Sequence, residues 1–316
     1  MARLILSLVS ILFGMVSISQ ANNKLFNDYY VLAKERGSGD AYLIDVCQRS
    51  KVKFFRCENE LAYVFQYRRT GDRFLAYAWD KDLKPTTAEF GINGKLLRLR
   101  KPIMWFGGFS YSGELAYTDF SLNGLFIGAI DDEFAKWIKV DESYRKMIFL
   151  RGDQQILLQD SAGAIVLHDL KSSIRRVVCT PINQIEFGDV SKDNKIVLLT
   201  DHVNIYILDL EQALITTVKS YTPGLFCFRV SGKPFIVSGQ FAWAEDGSGF
   251  LFVRHGEWDN YLGLGLDVTY NDADLYFYDL KEKREVRLCG SVGKGGVEFV
   301  PKNVINQATI GQWEPL

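Results

Sequence analysis

Apolar residues fall in short strand-like runs separated by polar turns, and helical periodicity is almost absent. One set of runs ends in an acidic residue: Ala41-Tyr42-Leu43-Ile44-Asp45, Leu125 to Asp131, Ile165-Val166-Leu167-His168-Asp169, Ile205-Tyr206-Ile207-Leu208-Asp209 and Leu275-Tyr276-Phe277-Tyr278-Asp279. Asp131 to Asp169 is a step of 38 residues and Asp169 to Asp209 one of 40, while the 86 from Asp45 to Asp131 leave room for a degenerate copy. A second marker runs out of phase with the first. It is a polar turn that opens an apolar strand, at Gly71-Asp72, Ser112-Gly113, Gly152-Asp153, Asp193-Asn194 and Asp246-Gly247.

Two markers at a common step near forty residues specify a small antiparallel sheet, repeated. A four-stranded sheet cannot bury both faces alone, so such units stack face to face around an axis. The expected fold is therefore all-β, a β-propeller with six blades, seven being the alternative if residues between Asp209 and Asp279 hold a further unit. The units begin near Leu25, Val52, Lys101, Met147, Ile182 and Pro234. The runs Tyr29 to Leu32 and Ala41 to Val46 lack an inner strand before them. The tail Gly296-Val297-Glu298-Phe299-Val300 supplies one, so the N- and C-terminal strands close the ring. A sandwich or two small β-domains would also use such strands, but no linker-like stretch interrupts the series.

Ala244 to Val253 with Asp274 to Leu280, and Val190 to Lys195 with Asn204 to Leu210, resemble the PD40 (WD40-like) repeats of TolB-type propellers. The proline of that turn motif is missing here, as is the Gly-His dipeptide of true WD40 repeats. The resemblance covers most of the chain as a repeat pattern and implies an architecture. Propellers host binding platforms as well as lyases and lactonases, so it does not imply an activity.

The amino terminus supplies an address. Arg3 precedes an apolar stretch from Leu4 to Ile18 that ends in Ser19-Gln20-Ala21. This pattern predicts a signal peptide over 1–21 and a single propeller domain over 22–316 in a secreted or periplasmic protein. The apolar run is shorter than the roughly 20 residues a spanning helix needs, and no later segment is longer, so no membrane span is expected after cleavage. With 37 Lys+Arg against 38 Asp+Glu the chain lacks the basic excess that a nucleic-acid partner requires. Of the five cysteines, Cys47 and Cys57 flank one hairpin and are the candidate disulfide in an oxidising compartment. No CxxC pair is present, and no cofactor is indicated.

His202 and His255 each lie 9 residues after the polar turn of their units, counted from Asp193 and Asp246, which puts them on one rim of the ring. After His255 the sixth unit carries an insertion holding Glu257, Trp258, Asp259, Tyr261 and Tyr270, and long loops in economical repeats are where function is grafted. Aromatic rings beside carboxylates suit a sugar, an apolar side chain or a basic partner. A metal site would need three or more donors, and Asp201, Glu257 and Asp259 are candidates only by proximity, so no metal is assigned. The G-x-S-x-G element of a serine hydrolase is absent. Glu186, Asp189, Glu114 and Glu245 lie near first-strand or first-turn positions and are the acidic candidates for the axis, where a glycosidase would need a pair. The expected function is a non-catalytic binding scaffold whose partner, protein or carbohydrate, meets one rim. The alternative is a propeller enzyme acting on carbohydrate or a lactone.

Overall fold

The computed structural model describes residues 20–35, 40–55, 60–100, 107–118, 124–132, 136–141, 144–181, 183–222, 236–255, 273–305 and 310–316. Its strands form a six-bladed β-propeller. Four blades are sheets of four consecutive strands. Blade 2 contains, from the axis outward, β4 (Leu61–Thr70), β5 (Arg73–Asp80), β6 (Pro85–Gly91) and β7 (Leu96–Arg100). Blade 3 contains β8 (Gly108–Phe109), β9 (Leu115–Thr118), β10 (Leu125–Ala129) and β11 (Ile138–Asp141). Blade 4 contains β12 (Tyr144–Phe149), β13 (Gln155–Asp160), β14 (Ile165–Asp169) and β15 (Arg175–Cys179). Blade 5 contains β16 (Glu186–Val190), β17 (Ile196–Thr200), β18 (Asn204–Asp209) and β19 (Leu214–Ser220).

The other two blades share a strand. β20 (Val237–Trp243), β21 (Gly249–His255) and β22 (Ala273–Asp279) are followed by the long β23 (Arg284–Pro301). The first part of β23 is the outer strand of blade 6, and its last part is the inner strand of blade 1. Blade 1 continues with β1 (Tyr29–Glu35), β2 (Ala41–Asp45) and β3 (Ser50–Lys53), and β24 (Glu314–Pro315) pairs with β3 at its outer edge. The ring thus closes as expected, with Tyr30 opposite Val300 and Val31 opposite Phe299. Because the tail supplies that inner strand, the run around Val52 is the outer strand of blade 1, opposite Leu43, and blade 2 begins at Leu61 rather than near Val52.

Alternating side chains leave opposite faces of a strand, and here both faces are covered. Phe250 and Phe252 of β21 pack toward blade 5, whereas Leu251 and Val253 pack toward blade 1. Likewise Tyr30 and Leu32 of β1 join Phe74 and Phe90 of blade 2, and Val31 and Ala33 join Phe277 of blade 6. The buried apolar side chains form six clusters, one for each junction between neighbouring blades. A helix, α1 (Gln20–Asp28), places Leu25 and Phe26 in the junction of blades 6 and 1, with the Phe26 ring 5.4 Å from that of Phe277.

Both sequence markers have a local cause. The aspartate that ends a third strand accepts two main-chain N–H groups of the following turn: Cys47 and Gln48 on Asp45, Lys171 and Ser172 on Asp169, Glu211 and Gln212 on Asp209, Lys281 and Glu282 on Asp279. The polar turns between first and second strands contain a residue of positive φ, among them Asp153 at 58° and Asn194 at 59°. Their side chains also reach the preceding blade. Asp153 accepts from the N–H groups of Tyr111 and Ser112 at 3.0 and 3.1 Å, and Asn194 exchanges two hydrogen bonds of 2.7 Å with the main chain of Arg151.

Candidate functional site

Connections between first and second strands, and between third and fourth, leave one face of the ring; all others leave the opposite face. The two longest stretches between described strands, residues 221–236 from β19 to β20 and 256–272 from β21 to β22, both start and end at strand ends on that opposite face. The turns on the first face are mostly short and stapled to one another, as Asp153 and Asn194 show. This asymmetry distinguishes a braced face from one that carries inserted sequence.

His202 lies on the second face, in the connection between β17 and β18, with φ at 74°. Its carbonyl accepts from the N–H groups of Ile236 and Val237 at 2.8 and 2.9 Å. Its Nδ1 lies 3.0 Å from the Val237 carbonyl and its Nε2 3.4 Å from Glu186 Oε1, which also meets Lys146 Nζ at 3.5 Å. The imidazole therefore ties blade 5 to the inner strand of blade 6. His255 is the last residue of β21, opposite Ala273, so both histidines follow the second strands of adjacent blades on one face. Glu257, Trp258, Asp259, Tyr261 and Tyr270 lie outside the described residues, as does Cys57. Cys47 is exposed and donates from Sγ to Asn27 Oδ1 at 3.4 Å. Asp201, considered above as a metal donor, is occupied as a loop brace: it accepts from the main chain of Val203 and Asn204, from the amides of Asn204 and Asn183, and from Tyr206 Oη at 2.7 Å. These donors hold its carboxyl below the usual range against the opposing effect of burial. Among the described residues no cluster of three metal-ligating side chains occurs.

The six inner strands surround an axial cavity of about 180 Å³. Its wall includes Arg68, Phe187, Gln240 and Glu298 together with glycines such as Gly188 and Gly239. A Cβ at Gly188 would collide with the Phe241 ring and one at Gly239 with the Glu186 carboxylate, so blade packing accounts for both glycines. Of the four acidic residues considered for the axis, Glu114 and Glu245 are exposed, and Glu186 is engaged with Lys146 and His202. Asp189 is buried and fully engaged, accepting from Tyr111 Oη at 2.6 Å and from the Trp243 N–H at 2.8 Å. Tyr111 in turn accepts from the Val190 N–H at 3.1 Å, and the guanidinium groups of Arg68 and Arg151 lie 4.2 and 4.6 Å from its ring centre.

The electrostatics follow from this enclosure. Burial and the adjacent Asp189 charge raise the Tyr111 phenol well above its ordinary value. Burial would lower Arg68, but Tyr111, Asp189 and Glu298 together raise it, so it stays cationic. Glu298 is pushed up to about 7, chiefly by burial and then by Asp189, with Arg68 acting in the opposite direction. Arg68, Gln240 and Glu298 escape sequence reasoning because they reside on strands whose register relative to the axis appears only once the ring is closed, and Tyr111 because it sits in the turn between β8 and β9 and meets its partners only across blades. The position of Glu298 in the closing strand was its one available signal.

No family model and no curated protein matches the sequence. The fold is similar to that of TolB from Acinetobacter baumannii, with a TM-score of 0.61 and 10% identity over 88% of this chain and 67% of that one. It is also similar to a candidate TolB from Agrobacterium tumefaciens, with a TM-score of 0.52 and 10% identity over 87% of this chain and 99% of that one. At such identity the likeness is one of fold: this chain is a six-bladed propeller of TolB-like architecture.

Proposed function

We propose that the protein is a non-catalytic binding scaffold, secreted or periplasmic, that engages a protein or carbohydrate partner through the face bearing His202, His255 and residues 256–272. The observation that carries this reading is the asymmetry of the two faces: one carries mostly short turns, bonded across blades at Asp153 and Asn194, besides α1 and the residues after β23, and the two longest stretches between described strands start and end on the other. Insertions on one face of a rigid ring are the usual way in which a propeller gains a contact surface. The signal-peptide pattern at residues 1–21 supplies the compartment, leaving 22–316 as the propeller domain. The kinship with PD40 repeats rests on the turn and strand pattern quoted above.

The test is capture of partners from the matching envelope fraction with the intact protein, beside a form in which residues 256–272 are replaced by a short Gly-Ser linker. The intact ring should retain a partner that the shortened form loses, while both keep the same thermal unfolding midpoint. Replacing His255, Glu257 and Asp259 by alanine should weaken the same capture. Equal capture by all forms would refute a contact role for this face. A second reading, an enzyme acting on carbohydrate or a lactone, draws on Glu298, whose raised proton affinity beside Arg68 resembles that of a general acid. Turnover of a carbohydrate or lactone that disappears in Glu298→Gln would establish it over the scaffold.

A further inference from the structure

Arg68 brings an unpaired donor to the wall of the axial cavity. Its guanidinium stacks on Tyr111 and is favoured by the Asp189 and Glu298 charges, but its Nη1 is buried without a hydrogen-bond partner. A guanidinium brings five donors that seek acceptors. The nearby carboxylates offset its charge without bonding to Nη1: the Asp189 oxygens accept from Tyr111 and Trp243. Glu298 has a main-chain donor, from Arg69. Arg151, above the same tyrosine ring, adds positive charge. On another wall, Gln240 Oε1 of β20 is a buried acceptor with no donor. Two residues that carry orphaned atoms of complementary kinds thus line one cavity.

We propose that the axial cavity binds a small carboxylate that carries a neighbouring hydroxyl or amino group, the carboxylate accepting from Arg68 and the donor reaching Gln240. A side-chain adjustment at Arg68 and Gln240 brings the two buried atoms to the ligand. Size limits the class: about 180 Å³ is below the roughly 300–1,000 Å³ of pockets that hold drug-sized ligands. This site is independent of the contact face proposed above, because it lies inside the ring and uses none of the same residues.

Titration of the intact protein with lactate, glycine, acetate, sulfate and glycerol, read by calorimetry and by saturation-transfer NMR, tests it. Lactate or glycine should bind saturably, with acetate, which lacks the donor, about tenfold weaker. Arg68→Met should abolish binding, and Gln240→Leu should reduce lactate or glycine to the level of acetate. Gln240→Leu removes the orphaned acceptor with its amide and leaves the Arg68 guanidinium in place, so it decides the matter if Arg68→Met does not fold. Absence of binding by lactate and glycine up to about 10 mM would overturn the proposal. So would equal binding of glycerol or sulfate, or an unchanged preference in Gln240→Leu. Any of these results would leave the scaffold reading intact.

Discussion

At the scale of single residues, the ring is held by side chains that repeat on no schedule. Tyr111 joins blade 3 to blade 5 through Asp189 and Val190 while its ring supports guanidinium groups from blades 2 and 4. A hydrogen bond to a charged acceptor in the interior contributes more than a neutral one, and removal of its donor leaves the carboxylate partly unsatisfied. Tyr111→Phe keeps the ring and deletes the hydroxyl; it should cost about 2 kcal/mol in denaturant unfolding. A change of a few tenths would show that Asp189 finds another donor. The acidic marker repeats, and so does a feature hidden in the sequence: Arg49, Ser173, Ala213 and Lys283 each lie four residues after their aspartate and adopt φ between 51° and 57°. Left-handed geometry costs a non-glycine residue roughly 1–2 kcal/mol, more than the added unfolded-state entropy of glycine. Ala213 is exposed, so Ala213→Gly should raise stability by about 0.5–1 kcal/mol, whereas Ala164→Gly, in a turn without that geometry, should not. Thermal melts of the two variants decide it.

At the scale of elements, the legible part of the fold is the part with local causes. Asp169 and Asp209 mark the ends of β14 and β18 because their carboxylates brace the next turn, and Asp153 and Asn194 mark the turns they lock to the previous blade. These features recur wherever a blade recurs, so a forty-residue step is visible without coordinates. Blade 2 follows the rule less closely: β6 ends at Gly91, and Asn93 braces its turn by accepting from the Lys95 N–H. That substitution explains the apparent gap between Asp45 and Asp131. The boundary near Val52 was misplaced because a four-residue outer strand and an inner strand have the same alternation; only pairing with Leu43 distinguishes them. The candidate site was less legible. His202 is recognisable from its offset, but its roles toward Glu186 and Val237 depend on the neighbouring blade, and the cavity residues depend on all six.

At the scale of the whole molecule, stability depends on one strand entering the blade that the amino terminus began. Val297, Phe299 and Val300 of β23 are buried against Tyr29, Phe26 and blade 2, and Tyr67 Oη donates to the Gly296 carbonyl at 2.8 Å. Burial of side chains of this size contributes about 1.5–3 kcal/mol each, so their loss is comparable with the net stability of a domain. A chain ending at residue 295 should therefore lose cooperative unfolding, and an unchanged calorimetric transition would mean that the ring does not need its closure.

Glu298 makes that closure sensitive to pH. Its carboxyl lies in the closing strand among Asp189, Arg68, Arg151 and the Arg69 main chain, and its proton affinity rises from an ordinary 4.5 to about 7. The folded protein thus holds a proton that the unfolded chain releases. Between pH 4.5 and 7 the unfolded state binds fewer protons, so the contribution of this group to stability is complete below 4.5 and declines as pH rises through 7. The decline approaches about 1 kcal/mol per pH unit in that window. Glu89 works in the opposite sense: burial would raise it, but Arg73, Arg98 and Arg100 hold it down to about 2, so its contribution is lost only in acid. The two are separable by substitution. Glu298→Gln cannot ionise, and urea unfolding of this variant beside the natural protein should show a stability difference that grows in the variant's favour from pH 5 to 7.5 and is then level. A difference independent of pH would place the Glu298 carboxyl in contact with solvent, and the axis would then be wet and open at the closing strand.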